Sequence, residues 1–146
     1  MASRKNAKTL NVKPLVRLVN HLPSNDLTLI VLKGHLLIEE QLVSLIEGKM
    51  KHPAALGTRM SFSHRLRLAK AMFYQQENAW VWTSIDKLNE VRNHLAHNVE
   101  ATNLDVKGND FINSIGGGFY VDRKATVEKR MRLALICVCG ALEGLA

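Results

Sequence analysis

Residues 27–50 read LTLIVLKGHLLIEEQLVSLIEGKM. Leu27, Ile30, Val31, Leu37, Ile38, Leu42, Leu45 and Ile46 fall at the three- and four-residue spacing that lines one side of an α-helix. Ser24, Asn25 and Asp26 stand just before this run as candidate caps, and Pro23 closes whatever precedes them. Lys33, His35, Glu39 and Glu40 interrupt the stretch, whereas a membrane span needs about 20 mostly apolar residues. The segment therefore reads as a long amphipathic helix with one face committed to a core.

Working outward, the same periodicity predicts a short helix from Lys13 to about His21. A third helix, capped by Ser61 or Ser63, carries Phe62, Leu66, Leu68, Ala69, Met72 and Phe73. A fourth opens at Asn78 and runs through Trp80, Trp82, Ile85, Leu88, Val91 and Leu95 to about His97, and a fifth spans roughly Asp122 to Leu142. The pattern lapses over residues 98–121, where Asn98, Asn103, Gly108, Asn109, Asn113 and Gly116-Gly117-Gly118 suggest an irregular loop. Phe119-Tyr120-Val121 is expected to add a short strand. No β-α-β alternation is present, so the fold class is all-α, an antiparallel four- to five-helix bundle in a single domain over 1–146. Residues 1–12, with Arg4, Lys5 and Lys8, read as a basic arm.

The chain has 146 residues, 47% of them apolar and 23% charged, enough for one ordinary globular core. Cys137 and Cys139 lie two apart on a helix and face opposite ways, which argues against a disulfide and for a reduced, cytoplasmic setting. The N-terminal residues are basic but lack a following apolar core, so no signal peptide is read. The formal net charge is +7, which favours an anionic partner, nucleic acid first. No acidic residue occurs from Gly48 to Gln76, where Lys49, Lys51, Arg59, Arg65, Arg67 and Lys70 offer a basic flank for an RNA backbone. The Gly116–Gly118 run is not a phosphate loop, because no Gly-Lys-Ser/Thr follows it.

The chemistry concentrates in Asn89-Glu90-Val91-Arg92-Asn93-His94-Leu95-Ala96-His97-Asn98. Val81, Ile85, Leu88 and Leu95 mark the packing stripe of this helix, and Arg92 falls where the stripe continues, unless Val91 completes it and turns Arg92 to its margin. A charge there needs an anion or an outlet to solvent. Asn93 and His97 are i,i+4 neighbours, whereas Arg92 and His97 lie about 140° apart on an ideal helix. Arg92 and His97 converge only if the helix unwinds near His97 or a second subunit supplies the facing half. Glu39 or Glu40 is a candidate buttress for Arg92. Trp80 and Trp82 suggest base stacking or, as helix residues beside Val81 and Ile85, core packing or a dimer contact, and the 78–97 helix is expected at a homodimer interface.

Arg92-Asn93-x-x-x-His97 resembles the R-x(4–6)-H motif of the HEPN superfamily. Gly34-His35-Leu36-Leu37-Ile38-Glu39-Glu40-Gln41-Leu42 is similar to the acidic-apolar second helix of that group. Ser61-Phe62-Ser63-His64-Arg65-Leu66-Arg67-Leu68-Ala69 is similar to the third helix of its mannitol-operon-repressor-like branches. The resemblance covers residues 24–100. It implies a helical bundle that often dimerises with its motifs across a cleft, and, in catalytic members, metal-independent RNA cleavage.

In that reading Arg92 and His97 are catalytic and Asn93 supports them, with no metal and no cofactor. The setting is a toxin or phage-defence effector, with a cognate antitoxin as a possible protein partner and no membrane. Val99 stands where members paired with a nucleotidyltransferase antitoxin carry Tyr, which sets the chain apart from that subgroup. Mannitol-operon-repressor-like members supply the alternative, a non-catalytic regulator or interaction module.

Overall fold

The computed structural model describes residues 13–98, 100 and 102–146; the basic arm expected over 1–12 lies outside them. Six α-helices follow in chain order: α1 Pro14–His21, α2 Leu27–Gly48, α3 Phe62–Phe73, α4 Ala79–His97, α5 Leu104–Asn113 and α6 Val127–Glu143. Two single 3-10 turns, Pro53–Leu56 and Gln76–Asn78, lead into α3 and α4. Helix takes up 72% of the described residues, with no strand among them. No helix is long and apolar enough to cross a membrane among the described residues.

Local chemistry sets the helix starts. Pro14 occupies the first turn of α1, where its missing N–H costs nothing. Asp26 Oδ1 accepts from Leu29 N at 3.0 Å, Ser61 Oγ from His64 N at 3.2 Å, and Thr126 Oγ1 from Lys129 N at 3.2 Å. Each such cap contributes about 1 kcal/mol. The fifth expected helix thus begins at its Thr126 cap rather than near Asp122, because residues 122–125 form a turn in which Asp122 Oδ1 accepts from Lys124 N.

Residues 98–121 are not one irregular loop, because they contain α5. Leu104, Gly108, Phe111 and Ile112 form its buried side, and it packs on both α4 and α6. Helix propensity in LDVKGNDFIN is poor, so this packing holds the helix. A Cβ on Gly108 would lie 3.2 Å from Met131 Cε, so the glycine permits a close approach to α6. The strand expected at 119–121 is absent. Gly117 (φ 69°) and Gly118 (φ 77°) turn the chain instead, and Phe119 is half-buried against the core.

The core runs between α2, α4 and α6. Ile30, Ile38, Leu42, Val81, Ile85, Leu88, Val91, Met131, Leu135 and Val138 are fully buried there, joined by Phe111 of α5 and Leu18 of α1. Trp82 is buried too, its Nε1 donating to Asn78 Oδ1 at 3.1 Å. Trp80 lies against Gly116, where a Cβ would come within 2.6 Å of the indole. Of the readings open for the tryptophans, core packing holds for Trp82, and Trp80 is partly buried against the core. Gln41 Nε2 donates to the Cys139 carbonyl at 3.0 Å and joins α2 to α6.

The α2–α6 crossing yields a prediction with a sign change in it. A Cβ on Gly34 would sit 2.5 Å from Leu135 Cδ1 and 2.9 Å from Cδ2. Leu135 is fully buried, so its side chain must shift within a packed core to admit the methyl. Alanine gains about 1 kcal/mol of helix propensity, while overpacking costs about 1–3 kcal/mol. Gly34→Ala is therefore expected to lower the urea unfolding midpoint. In a Leu135→Ala background the same substitution becomes neutral or stabilising. Additive effects in the double-mutant cycle would show that the two positions do not meet.

Candidate functional site

Three helices bring polar side chains together beside the core. Along α2, His35 and Glu39 are one turn apart on one stripe, and along α4 Asn89, Arg92 and Asn93 share a stripe. Phe62 and Arg65 come from the first turn of α3. His35 is only 6% exposed. Its Nε2–H donates to Asn89 Oδ1 at 3.0 Å, and its ring lies 4.2 Å from that of Phe62 at a 31° tilt. Burial pushes the His35 pKa below its ordinary 6.5; the Asn89 bond and then the Glu39 carboxylate oppose that shift, and the Arg92 charge adds to it. Arg92 therefore lies close enough to His35 for their charges to interact.

Neither candidate buttress pairs with Arg92. Glu39 is in an ion pair with Arg65, and Glu40 with Arg17 of α1. The reason is position: the α3 guanidinium meets Glu39 across the α2–α3 contact, and α1 lies over Glu40. Arg92 is left exposed, with a long 3.4 Å contact from Nη1 to Asn93 Oδ1 and no carboxylate partner among the described residues. Because His35 occupies Asn89 Oδ1, the Asn89 amide group is free to donate. Arg92, Asn89 and Asn93 thus line the C-terminal half of α4 with hydrogen-bond donors, a surface suited to an anion.

His97 is exposed on the last turn of α4, and no side-chain hydrogen bond holds it among the described residues. The helix does not unwind before it: α4 stays helical through His97 and turns extended only at Asn98 (φ −129°, ψ 118°). Within one chain, Arg92 and His97 therefore remain on separate flanks. His94 has a structural part. Asn98 Nδ2 donates to His94 Nδ1 at 3.2 Å and to its carbonyl at 2.8 Å, and His94 Nε2 donates to Thr102 O at 2.7 Å. The imidazole fastens the chain beyond α4 back onto the helix.

Arg65 stands apart from the rest of the basic flank. Arg65 is half-buried, engaged by Glu39, and also donates to the Thr58 carbonyl at 3.3 Å. Arg67 and Lys70 are exposed on another side of α3, about 140–200° around the helix from Arg65. Lys70 Nζ sits 5.8 Å above the Tyr74 ring. Lys49, Lys51 and Arg59 are exposed around the α2–α3 connection, with no carboxylate partner among the described residues.

His35 and Asn89 are the members that sequence reasoning misses. The available signal is a histidine in the Val31-His35-Ile38-Leu42 register of a core helix, which requires a buried partner. Neither cysteine looks like a nucleophile. Burial pushes Cys137 up, and burial with the Glu143 charge pushes Cys139 up to about 12 against the opposing bond from Gln41. No group of three or more His, Cys, Asp or Glu residues able to hold a metal is found among the described residues. No family model matches this chain, and neither a curated protein nor a solved structure does.

A pH dependence follows from the buried imidazole. Its pKa in the folded chain is lower than the ordinary 6.5, so the unfolded chain takes up the proton first. The His35 contribution to stability is complete above about pH 6.5 and is lost as pH falls from there toward the depressed value. The urea midpoint of the wild type is expected to fall more steeply from about pH 7.5 to 5.5 than that of His35→Gln. Parallel profiles would mean that His35 titrates normally.

Proposed function

We propose that this chain is a HEPN-like endoribonuclease in which Arg92 and His97 act on the RNA backbone and Asn93 supports them. The observation that carries the reading is Arg92: a guanidinium without a carboxylate partner among the described residues, flanked by the donors of Asn89 and Asn93, on a helix whose last turn exposes the His97 imidazole. Arg92 offers its planar fork to the non-bridging oxygens of a phosphodiester. His97 takes the proton of the neighbouring 2′-OH. The 2′-oxygen attacks phosphorus, the P–O5′ bond breaks, and the leaving 5′-oxygen takes a proton from water or from the imidazolium that His97 has become. The products are a 2′,3′-cyclic phosphate and a 5′-hydroxyl.

Because α4 remains helical through His97, the reading requires a homodimer in which the partner's motif faces this one. Lys49, Lys51, Arg59, Arg67 and Lys70 contribute long-range attraction for RNA, and Arg65 instead steadies Glu39 within the site. A toxin or phage-defence role in the cytoplasm, held in check by a cognate antitoxin, suits such an activity. The same separation of Arg92 from His97 favours a second reading, a non-catalytic HEPN-like regulator of the mannitol-repressor kind in which the motif supports assembly.

Cleavage of single-stranded RNA in EDTA separates the two readings. His97→Ala is expected to lower the rate by about 10²–10⁴ with the fold intact. Arg92→Lys also fails, because an ammonium cannot replace the planar fork. DNA, lacking the 2′-OH, resists. Cutting of DNA as readily as RNA, or loss of activity with chelator, overturns the mechanism; purified protein that cuts nothing favours the regulator. Sedimentation at micromolar concentration is expected to return a dimer, and a monomeric mass rules out a site shared between subunits.

A further inference from the structure

A second polar site lies away from Arg92 and His97, where α5, the 114–126 connection and α6 enclose a cleft of about 670 Å³. Its walls carry Arg123 and Arg130, the amides of Asn109 and Asn113, and the rings of Phe119 and Tyr120. Neither arginine pairs with a carboxylate among the described residues. The neighbouring Asp122 is engaged by its own turn, accepting from Lys124 N at 2.9 Å. Arg130 Nη1 donates to Asn109 Oδ1 at 2.8 Å, which orients the Asn109 amide, while Arg130 Nε is shut off from solvent without an acceptor. Tyr120 is 87% exposed at the edge of the cleft.

We propose that this cleft binds a nucleoside monophosphate unit, free or as the 5′-phosphorylated end of a strand. The two guanidinium groups recognise the phosphate, whose oxygens match their planar donors. Tyr120 and Phe119 supply stacking faces for the base. The Asn109 and Asn113 amides reach base or ribose edges, since each side chain both donates and accepts. The volume falls within the range of small-ligand pockets. The proposal uses neither Arg92 nor His97 and stands apart from the cleavage reading.

The connection also carries its own reporter. Gly116 and Gly117 lie on the Trp80 indole, so ordering of residues 114–126 around a ligand alters tryptophan emission. Calorimetric and fluorescence titrations with AMP, UMP, adenosine, inorganic phosphate, and an oligoadenylate with and without 5′-phosphate test the site. AMP is expected to bind at least tenfold more tightly than phosphate or adenosine, as joint recognition of base and phosphate requires. Tyr120→Ala and Arg123→Gln each weaken AMP at least tenfold; both residues are exposed, so the urea midpoint holds. Lys33→Gln, on α2 and outside the lining of the cleft, leaves AMP affinity unchanged.

Binding of mononucleotides assigns a free ligand, and binding of the 5′-phosphorylated strand alone assigns a strand end. Phosphate binding as tightly as AMP, AMP affinity untouched by both variants, or no saturation by any probe up to about 5 mM overturns the proposal. His97→Ala separates the two sites: it removes cleavage and leaves AMP binding intact.

Discussion

A buried imidazole must have a partner, and in this chain the partner decides where everything on α4 points. His35 is surrounded by α2, α3 and α4, and leaving its N–H unmatched would cost about 1–3 kcal/mol. Asn89 Oδ1 meets that need. The bond sets the height of α4 against α2, and because Arg92 and Asn93 follow within one turn, it sets theirs as well. Phe62 closes the other side of the imidazole, so α3 is placed by the same residue. The Glu39–Arg65 pair then occupies the next turn along α2 and keeps Glu39 from reaching Arg92. One polar position in a core helix thus determines which cation is neutralised and which stays free.

Helices with strong local signals are legible in the amino-acid sequence alone. Pro14, the Asp26 and Ser61 caps, and the apolar stripe of α2 are chemistry within a few residues of the boundary they define. α5 is not legible in that way, because LDVKGNDFIN is held by Phe111, Ile112 and the Gly108–Met131 approach, and those contacts come from α4 and α6. The strand expected from Phe119-Tyr120-Val121 fails for a related reason. β-propensity describes a residue on a sheet, and here two left-handed glycines deliver Phe119 to a helical core instead.

The candidate site divides the same way. Along one helix Arg92 reads as a charge in an apolar register, but the fully buried Val91 completes that stripe and leaves Arg92 exposed at its margin. His35 and Asn89 can be joined only by knowing that α2 and α4 meet at that level. Within the basic flank Arg65 shows the opposite error, since charges adjacent in sequence need not be adjacent in space. Two residues on a helix turn a side chain about 200°, so Arg65 enters the site while Arg67 faces away from it.

α4 ties the two polar regions into one scaffold. Its first half is core: Val81, Ile85 and Leu88 are fully buried, and Trp80 carries the Gly116–Gly117 backbone that borders the α5–α6 cleft. Its second half loses burial after Val91 and presents Arg92, Asn93 and His97. The last turn has few apolar contacts to hold it, and His94 offsets that by bonding both Asn98 and Thr102. A fastened helix end matters more for a site than for a core. Side chains meant to meet an anion have to be held in place by something other than burial, since burial would close the surface the anion must reach.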